Sequence, residues 1–265
     1  MTTEPDRLLR GRSIMQPYYQ DSHVTIYNAD WRELKDRLEQ NPVDAIITDP
    51  PFGLEEFAKG RNHGRSRLGG RANFVDDGWD KEAETREAAY IMLSAAPNML
   101  KKGGNLFSFG SFELLGEMVE QAPKPLYYKT YGVWHKKNPI PINMKIRFVS
   151  SLESWIHWVN WQRTGTFNAE GKPVHNFVET GLTPKSEKKH GKHSTQKPLS
   201  VMGWVTNLLT NPEDLILDPF MGSGSTLIAA KMAGRKAIGI ELEEKYCEIA
   251  AKRAQEIQSL KPLAV

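Results

Sequence analysis

The segment Asp49-Pro50-Pro51-Phe52 has the residue types with the clearest chemical use in this chain. It follows the largely apolar run 43–48, which is typical of a buried parallel strand, so Asp49 comes at the carboxyl end of that strand. A carboxylate and a neighbouring backbone carbonyl can each accept one N–H from a planar amino group. Two prolines fix the backbone, and the ring of Phe52 offers a flat face for stacking. The segment therefore predicts a site that holds an aromatic amine.

A second segment, residues 218–226, reads Asp-Pro-Phe-Met-Gly-Ser-Gly-Ser-Thr between a predicted strand and a predicted helix. Gly222 and Gly224 let the backbone approach a ligand closely at the end of a strand. Glu241 ends the next predicted strand, where an acid can accept both hydroxyls of a ribose. Leu227 stands where a pyrophosphate-binding fingerprint has its third glycine. The pattern predicts a ribose-containing cofactor that lacks a pyrophosphate.

Together these segments resemble the catalytic and cofactor loops of the S-adenosylmethionine-dependent amino-methyltransferases of DNA. The catalytic segment comes first and the cofactor loop near the C-terminus, an order that resembles the circularly permuted β group of that family. The resemblance covers roughly residues 20–255. It implies a Rossmann-like α/β fold whose seven-stranded methyltransferase sheet has one antiparallel strand. It also implies methyl transfer to adenine N6 or cytosine N4 of a base flipped out of the duplex.

The resemblance assigns further residues to the cofactor, S-adenosyl-L-methionine. Asp30 corresponds to the family's acid near the cofactor's adenine ring, and His193-Ser-Thr-Gln-Lys-Pro198 is similar to a segment at its methionine end. Ser194 here replaces the usual proline. No metal is expected. The catalytic residues are predicted to be Asp49, Pro50, Pro51 and Phe52, and the cofactor residues Asp30, Asp49, His193, Thr195, Lys197, Asp218, Phe220, Gly222, Ser223, Gly224, Thr226 and Glu241.

Cations outside these segments predict contacts to double-stranded DNA. Lys and Arg side chains bind phosphates without reading the base sequence. One group lies in the loop 53–80, which we expect to be mobile, a second follows a predicted strand, and a third lies in the polar stretch 162–192. We interpret 162–192 as a small target-recognition insertion outside the sheet. The predicted DNA-binding residues are Arg61, Arg65, Arg67, Arg71, Lys136, Lys137, Lys185, Lys188 and Lys189.

Alternating strand and helix patterns predict a parallel sheet between two helical layers. Strands are expected at 23–30, 43–49, 104–110, 129–135, 153–161, 215–218 and 237–241, and helices at 31–40, 81–99, 199–209, 225–233 and 244–258. We expect four regions. They are an N-terminal extension (1–22), a catalytic half (23–161), the insertion (162–192) and a cofactor-binding half (193–265).

Composition allows this interpretation. The 265 residues suffice for one sizeable α/β core, and the net charge of +3 requires local clusters for any attraction to DNA. The single cysteine, Cys247, excludes an internal disulfide and lies mid-helix, so it is a poor candidate for the nucleophile of cytosine C5 methylation. No apolar run is long enough for a signal peptide or a membrane span. We expect a soluble cytoplasmic protein.

Among the enzymes that fit, a site-specific adenine-N6 methyltransferase is favoured, because in most of the family an Asp at the position of Asp49 is associated with adenine as the methylated base. Cytosine-N4 enzymes more often have Ser there and remain the alternative. RNA or protein methyltransferases more often have Asn. A DNA-binding relative without turnover is a further alternative, which the intact Asp49, Phe52 and Glu241 disfavour. A homodimer and a cognate restriction endonuclease are compatible with the interpretation, and a membrane partner is not expected.

Overall fold

The computed structural model describes residues 15–51, 82–141 and 148–258. The strands are β1 (Tyr19–Gln20), β2 (Val24–Asn28), β3 (Val43–Thr48), β4 (Leu100–Gly110), β5 (Leu126–Lys136), β6 (Leu152–Asn160), β7 (Phe177–Thr180), β8 (Leu215–Asp218) and β9 (Lys236–Glu241). The α-helices are α1 (Lys35–Gln40), α2 (Glu82–Met99), α3 (Phe112–Gln121), α4 (Leu199–Leu209), α5 (Ser225–Met232) and α6 (Glu244–Gln258). Single 3-10 turns occupy Trp31–Leu34 and Lys185–Lys188. The predicted elements are confirmed with ends shifted by a few residues, whereas β1, β7 and α3 were not predicted.

All described strands form one sheet in the order β1-β2-β9-β8-β3-β4-β6-β5-β7. From β2 to β5 this order contains seven strands, of which only β6 runs antiparallel to its neighbours. The expected Rossmann-like methyltransferase sheet is therefore confirmed. Its number of strands is corrected from seven to nine, because short strands extend both edges. β1 pairs antiparallel with β2, and β7 pairs parallel with β5.

The prediction that residues 162–192 lie outside the sheet is wrong for β7. This strand pairs with residues 133–136 of β5, and the indole Nε1 of Trp134 donates to Thr180 Oγ1 at 2.8 Å. Nearby, the side-chain amide of Asn176 donates to the Tyr131 carbonyl at 2.8 Å. Four residues of mixed polarity in a polar stretch give too weak a periodicity to predict a strand. Their position follows from long-range pairing with β5.

Helices cover both faces of the sheet. One core cluster joins α4, α5 and α6 to the sheet, and the other joins α1, α2 and α3 to its opposite face. In α6 the buried residues Tyr246, Cys247, Ala250 and Ala254 recur at helical spacing, which places one face of the helix against the core. Cys247 on this face is buried and its thiol is free. Among the described residues, no helix is both long and apolar enough to cross a membrane.

Gly132 in β5 has no room for a side chain. A Cβ atom there would lie 2.1 Å from Cζ2 of Trp155 and 2.2 Å from the backbone oxygen of Asn176. We expect Gly132→Ala to lower the free energy of unfolding by about 1–3 kcal/mol, because overpacking displaces the ring or the backbone. Gly116 in α3 is the control, since nothing lies within 4 Å of its added Cβ. Gly116→Ala should raise the free energy of unfolding by about 1 kcal/mol. Urea denaturation measures both, and equal stabilities of Gly132→Ala and wild type would contradict the prediction.

Candidate active site

The predicted acidic residues meet at one edge of the sheet. Asp49, Asp218, Glu241 and Asp30 come at or just after the carboxyl ends of β3, β8, β9 and β2. From β3 the chain continues to β4 on one side, whereas from β8 it continues to β9 on the other. Such a reversal of strand order opens a crevice at the carboxyl ends of the strands, where α/β proteins bind their ligands.

A cavity lies in this crevice. It is lined by thirteen of the predicted residues, namely Asp30, Asp49, Pro50, Pro51, His193, Thr195, Lys197, Asp218, Phe220, Gly222, Ser223, Thr226 and Glu241. Gly224 does not line the cavity. The predicted stacking residue Phe52 lies outside the described residues. Sequence segments that are far apart in the chain thus contribute to one cavity.

Asp218 fixes the start of the cofactor loop. Its carboxylate accepts hydrogen bonds from Thr48 Oγ1 at 2.8 Å, from Thr226 Oγ1 at 2.5 Å and from the Phe220 amide at 3.1 Å. The side chain is buried, and burial raises its pKa to about 6, against the effect of these donors. Asp218 therefore joins the ends of β3 and β8 and orients the loop that follows.

The loop backbone depends on its two glycines. Gly222 and Gly224 adopt φ angles of +51° and +77°, a region that side chains disfavour. A Cβ on Gly222 would lie 3.0 Å from Nε2 of His193, and one on Gly224 would lie 2.8 Å from Cβ of Ala250. From α6, the buried Arg253 donates through Nη1 to the Ser223 carbonyl at 2.5 Å. The loop is thus enclosed by the 193–198 segment on one side and by α6 on the other.

Glu241 faces the loop with both carboxylate oxygens. Oε2 accepts from the Gly222 amide at 3.0 Å, and Oε1 accepts from the Glu243 amide at 2.8 Å. Burial raises the pKa of this carboxyl to about 7, although the two amides act in the opposite direction. Each carboxylate oxygen can accept a second hydrogen bond, so Glu241 can receive two ligand hydroxyls as the sequence predicts.

Asp30 lies at the rim of the cavity. It caps the 3-10 turn by accepting from the Arg32 amide at 2.9 Å, and Nε of Arg32 donates to the same oxygen at 2.9 Å. The hydrogen bonds from Arg32 lower its pKa. Asp30 is therefore ionised and held in one orientation.

Sequence reasoning missed the aromatic walls of the cavity. Trp31, at the start of the helix predicted for 31–40, packs edge-on against Phe220 with ring centroids 6.3 Å apart. Tyr246, in the helix predicted for 244–258, lines the cavity and packs against His193 with ring centroids 4.4 Å apart. Their helical spacing indicated burial, and sequence contains no signal that separates burial in a core from burial beside a cavity.

Asp49 has two distinct oxygens. Oδ2 forms an ion pair with Nζ of Lys197, whereas Oδ1 is buried and has no hydrogen-bond partner among the described residues. Burial raises the pKa of the Asp49 carboxyl, and Lys197 opposes that effect. The next carbonyl, that of the buried Pro50, accepts no hydrogen bond from the described part of the chain. Two neighbouring residues thus each offer an acceptor, a side-chain oxygen of Asp49 and the backbone carbonyl of Pro50.

Further charges lie behind Asp49. Nζ of Lys197 is 3.1 Å from Glu153 Oε2, and Nζ of Lys136 is 2.7 Å from Glu153 Oε1. Burial acts to raise the pKa of Glu153, but Lys197 and Lys136 together hold it below its usual value. Asp49, Lys197, Glu153 and Lys136 therefore form a row of alternating charges that crosses from β3 to β6 and β5.

The five predicted DNA-binding lysines, which are all among the described residues, do not line the cavity. Arg61, Arg65, Arg67 and Arg71 fall in a segment outside the described residues. Three of the lysines pair with acids: Lys136 with Glu153, Lys137 with Glu179 at 3.1 Å, and Lys189 with Glu256 of α6. Lys185 is exposed and Lys188 half-buried, and within the described ranges neither forms an ion pair. These two lysines belong to the short 3-10 turn of the 162–192 region.

The fold and the cavity agree with the result of comparison to known proteins. The family model for N6/N4 DNA methylases matches residues 43–252. The chain belongs to this family. The methylase is 34% identical over 261 residues to the Type II methyltransferase M2.LlaDCHI of Lactococcus lactis subsp. cremoris, a match that covers 92% of this chain and 93% of that protein. It is 32% identical over 263 residues to the Type II methyltransferase M2.DpnII of Streptococcus pneumoniae, with coverages of 92% and 94%.

Solved structures share the fold. The M1.HpyAVI–SAM complex superposes with a TM-score of 0.67 at 27% identity, covering 87% of this chain and 98% of that one. PvuII DNA methyltransferase, described as cytosine-N4-specific, has a TM-score of 0.66 at 19% identity, with coverages of 90% and 88%, and shows the shared fold. The methylase is a site-specific DNA methyltransferase that uses S-adenosylmethionine. The expected family, enzyme class and cofactor are confirmed.

The residues of the cavity fit this cofactor. S-adenosylmethionine combines a ribose with a sulfonium cation, and the cavity offers carboxylates from Asp49, Asp218 and Glu241. Glu241 can accept from the two ribose hydroxyls while its backbone donors stay in place. At Gly222 a side chain would meet the ring of His193, so only a bare backbone leaves this part of the cavity open. Acidic side chains and open backbone suit a cationic nucleoside without phosphates.

Proposed function

We propose that this methylase transfers a methyl group to adenine N6 of a base flipped out of double-stranded DNA, with Asp49 and Pro50 as the acceptors of the amino group. The observation that carries the proposal is Oδ1 of Asp49, a buried carboxylate oxygen at the cavity without a hydrogen-bond partner among the described residues. A buried acceptor without a donor costs free energy in the absence of a ligand. An N–H donor from the target base would satisfy it.

The chemistry needs a more nucleophilic nitrogen. The lone pair of an exocyclic amine is delocalised into the ring, which makes the amine a poor nucleophile. When Asp49 Oδ1 and the Pro50 carbonyl each accept one N–H, the nitrogen is drawn towards tetrahedral geometry and its lone pair is freed. The negative charge of Asp49 also stabilises positive charge that builds up on the nitrogen. S-adenosylmethionine supplies the methyl group from its sulfonium.

The base must reach Asp49 from outside the duplex. Asp49 and Pro50 lie in a crevice of the protein, and an amino group within stacked base pairs cannot enter it. Enzymes that act on bases therefore bind the target nucleotide in an extruded conformation. We assign the part of this crevice that Asp49, Pro50 and Pro51 line to the flipped base, and Phe52 to stacking on it.

Adenine is favoured over cytosine by the family association of Asp at the position of Asp49. The amino groups of both bases offer two N–H donors, so the chemistry at the nitrogen is the same for adenine and cytosine. Contacts of the protein around the ring must therefore distinguish the two bases. Mass spectrometry of DNA methylated by the purified enzyme and digested to nucleosides tests this directly. We expect N6-methyladenine. N4-methylcytosine as the sole product would contradict adenine as the target base but would agree with the proposed mechanism. C5-methylcytosine would contradict both the target base and the mechanism.

We assign target recognition to residues 162–192 and phosphate binding to Lys185 and Lys188 within it. Replacing both lysines by Gln should weaken binding about equally for all DNA sequences. It should also reduce the slope of log affinity against log salt concentration by about 2, since each phosphate contact contributes about 0.9. The control is the double change Lys35→Gln and Lys101→Gln, which removes two cations far from this region. Titration at several salt concentrations measures the slope, and an unchanged slope would show that Lys185 and Lys188 are solvated cations only.

The most similar relatives extend the proposal to a biological setting. M2.LlaDCHI, M2.DpnII and M2.MboI are Type II methyltransferases. We propose that this methylase likewise protects DNA in the cytoplasm from a cognate restriction endonuclease, and that two copies associate on the DNA. Long-read sequencing of DNA from cells that express the protein reports the modified base and its sequence context together. Absence of a defined methylated motif would contradict this role.

A further inference from the structure

Lys197 occupies an unusual place for a cation. Only 4% of its side chain is exposed, and Nζ lies 4.9 Å from the ring centroid of Phe109. Its backbone carbonyl accepts a hydrogen bond of 2.8 Å from Ser225 Oγ, just past the glycines of the cofactor loop. Lys197 is therefore fixed at both ends. Its backbone is tied to the cofactor loop and its ammonium to the carboxylate of Asp49.

We propose that Lys197 and Glu153 are positioning residues for Asp49, and that they set both its orientation and its charge during methyl transfer. This inference rests on the proposed function, in which Asp49 accepts a hydrogen bond from an N–H of the target amine. By binding Oδ2, the Lys197 ammonium leaves Oδ1 as the oxygen that remains to accept a hydrogen bond from the amine. Family resemblance assigned Lys197 to the methionine end of the cofactor, whereas the contact to Asp49 gives it a second task.

The charges around Asp49 act in opposite directions. Lys197 and, from β5, Lys136 stabilise the ionised carboxylate, whereas Glu153 on β6 disfavours it. Asp218, from the end of β8, adds a further nearby carboxyl, since Asp49 and Asp218 disfavour each other's ionisation. If Lys197 were the only charged neighbour of Asp49, the two side chains would form a neutral pair. The attraction of Asp49 for the positive charge that develops on the amine would then be weaker. Glu153 shares the Lys197 ammonium with Asp49, which leaves more of the negative charge of Asp49 uncompensated, and it holds Lys197 in place.

The test is the pH dependence of the single-turnover rate at saturating cofactor and DNA, which reports the ionisation of groups in the complex. In Lys197→Gln the acid limb should move to higher pH by about 1 unit or more, because a stabilising cation is lost. In Glu153→Gln it should move to lower pH, because a destabilising anion is lost. Lys197→Arg retains the charge, so its limb should stay near that of the wild type even where the rate falls. Purely structural roles would change rates without moving the limbs in opposite directions.

Controls separate this inference from the proposed function. Lys101→Gln removes a lysine that pairs with Asp44 at the opposite end of β3, and its pH profile should match the wild type. If Asp49→Asn is inactive but the limbs of Lys197→Gln and Glu153→Gln coincide with the wild type, the inference fails and the proposed function stands. If Asp49→Asn retains normal turnover, the proposed function fails. Should Glu153→Gln not fold, the comparison of Lys197→Gln, whose acid limb should shift, with Lys197→Arg, whose acid limb should not, still tests the inference, and equal limbs in those two variants would overturn it.

Discussion

Replacing Asp49 by Ala should reduce the single-turnover rate of methyl transfer by about a hundredfold or more, the usual effect of removing one preorganised electrostatic group. The variant loses the acceptor that draws the amino group out of conjugation, and it loses the negative charge that stabilises the methylated nitrogen. Lys197 would then keep Glu153 as its partner and lose the carboxylate of Asp49. Binding of S-adenosylmethionine should change by only a few fold, because Glu241 and the glycine loop are left intact.

Rapid quench with a labelled methyl donor measures the rate, and calorimetry measures cofactor affinity. Asp44→Asn is a matched control, because Asp44 lies on the same strand at the end remote from the cavity and pairs with Lys101 at 2.8 Å. That control should keep the wild-type rate. A rate for Asp49→Ala within threefold of the wild type would remove Asp49 from the mechanism.

Glu241→Gln should weaken binding of S-adenosylmethionine by about 10- to 100-fold, since hydrogen bonds to a charged group contribute about 1.5–3 kcal/mol. In the wild type both carboxylate oxygens accept backbone amides, from Gly222 and Glu243. The amide of Gln has one oxygen and one NH2 group, so it must place a donor against one of these donors. The substitution therefore disturbs the loop as well as the ribose contact.

The same residue makes cofactor affinity dependent on pH. Because burial raises the pKa of Glu241 to about 7, the carboxyl is protonated below that pH in the free protein, whereas hydroxyl donors favour its ionised form. Affinity should therefore rise with pH up to about 7 and become constant above it. Calorimetry from pH 5.5 to 8.5 tests this on the wild type and on Glu241→Gln, which should lose the dependence near pH 7 and keep the weaker one of Asp218 near pH 6. Identical profiles of the two proteins would show that another group titrates.

Local sequence predicted the elements whose signal is local. The strand-loop-helix around Gly222 and the spacing to Glu241 predicted the cofactor half, and β8, α4 and α6 have the bounds expected from their periodicity. Residues that the sequence singled out separately line a single cavity. The prediction of one shared site succeeds because the carboxyl ends of parallel strands meet at one edge of a sheet. The position of a residue at a strand end therefore also predicts its neighbours.

Contacts between distant side chains could not be predicted in this way. Lys197 and Asp49 are 148 residues apart, and the row of charges through Glu153 depends on the pairing of β6 with β4 and β5. β7 was missed for a related reason, because its four residues acquire their conformation from β5. Periodicity within a segment contains no information on the partner that a segment or a side chain will find.

The strand order has a consequence for synthesis of the chain. β2 and β3 follow one another along the sequence, yet β8 and β9 lie between them in the sheet. Asn28, at the end of β2, donates through its side-chain amide to the carbonyl of Glu241, 213 residues further along. While the ribosome makes the intervening chain, β2 and β3 each expose an edge of unpaired backbone N–H and C=O groups whose partner strand does not yet exist, and such edges are prone to aggregation. The newly made chain therefore depends on protection of these edges until its last strands emerge, and only then does the cofactor cavity close.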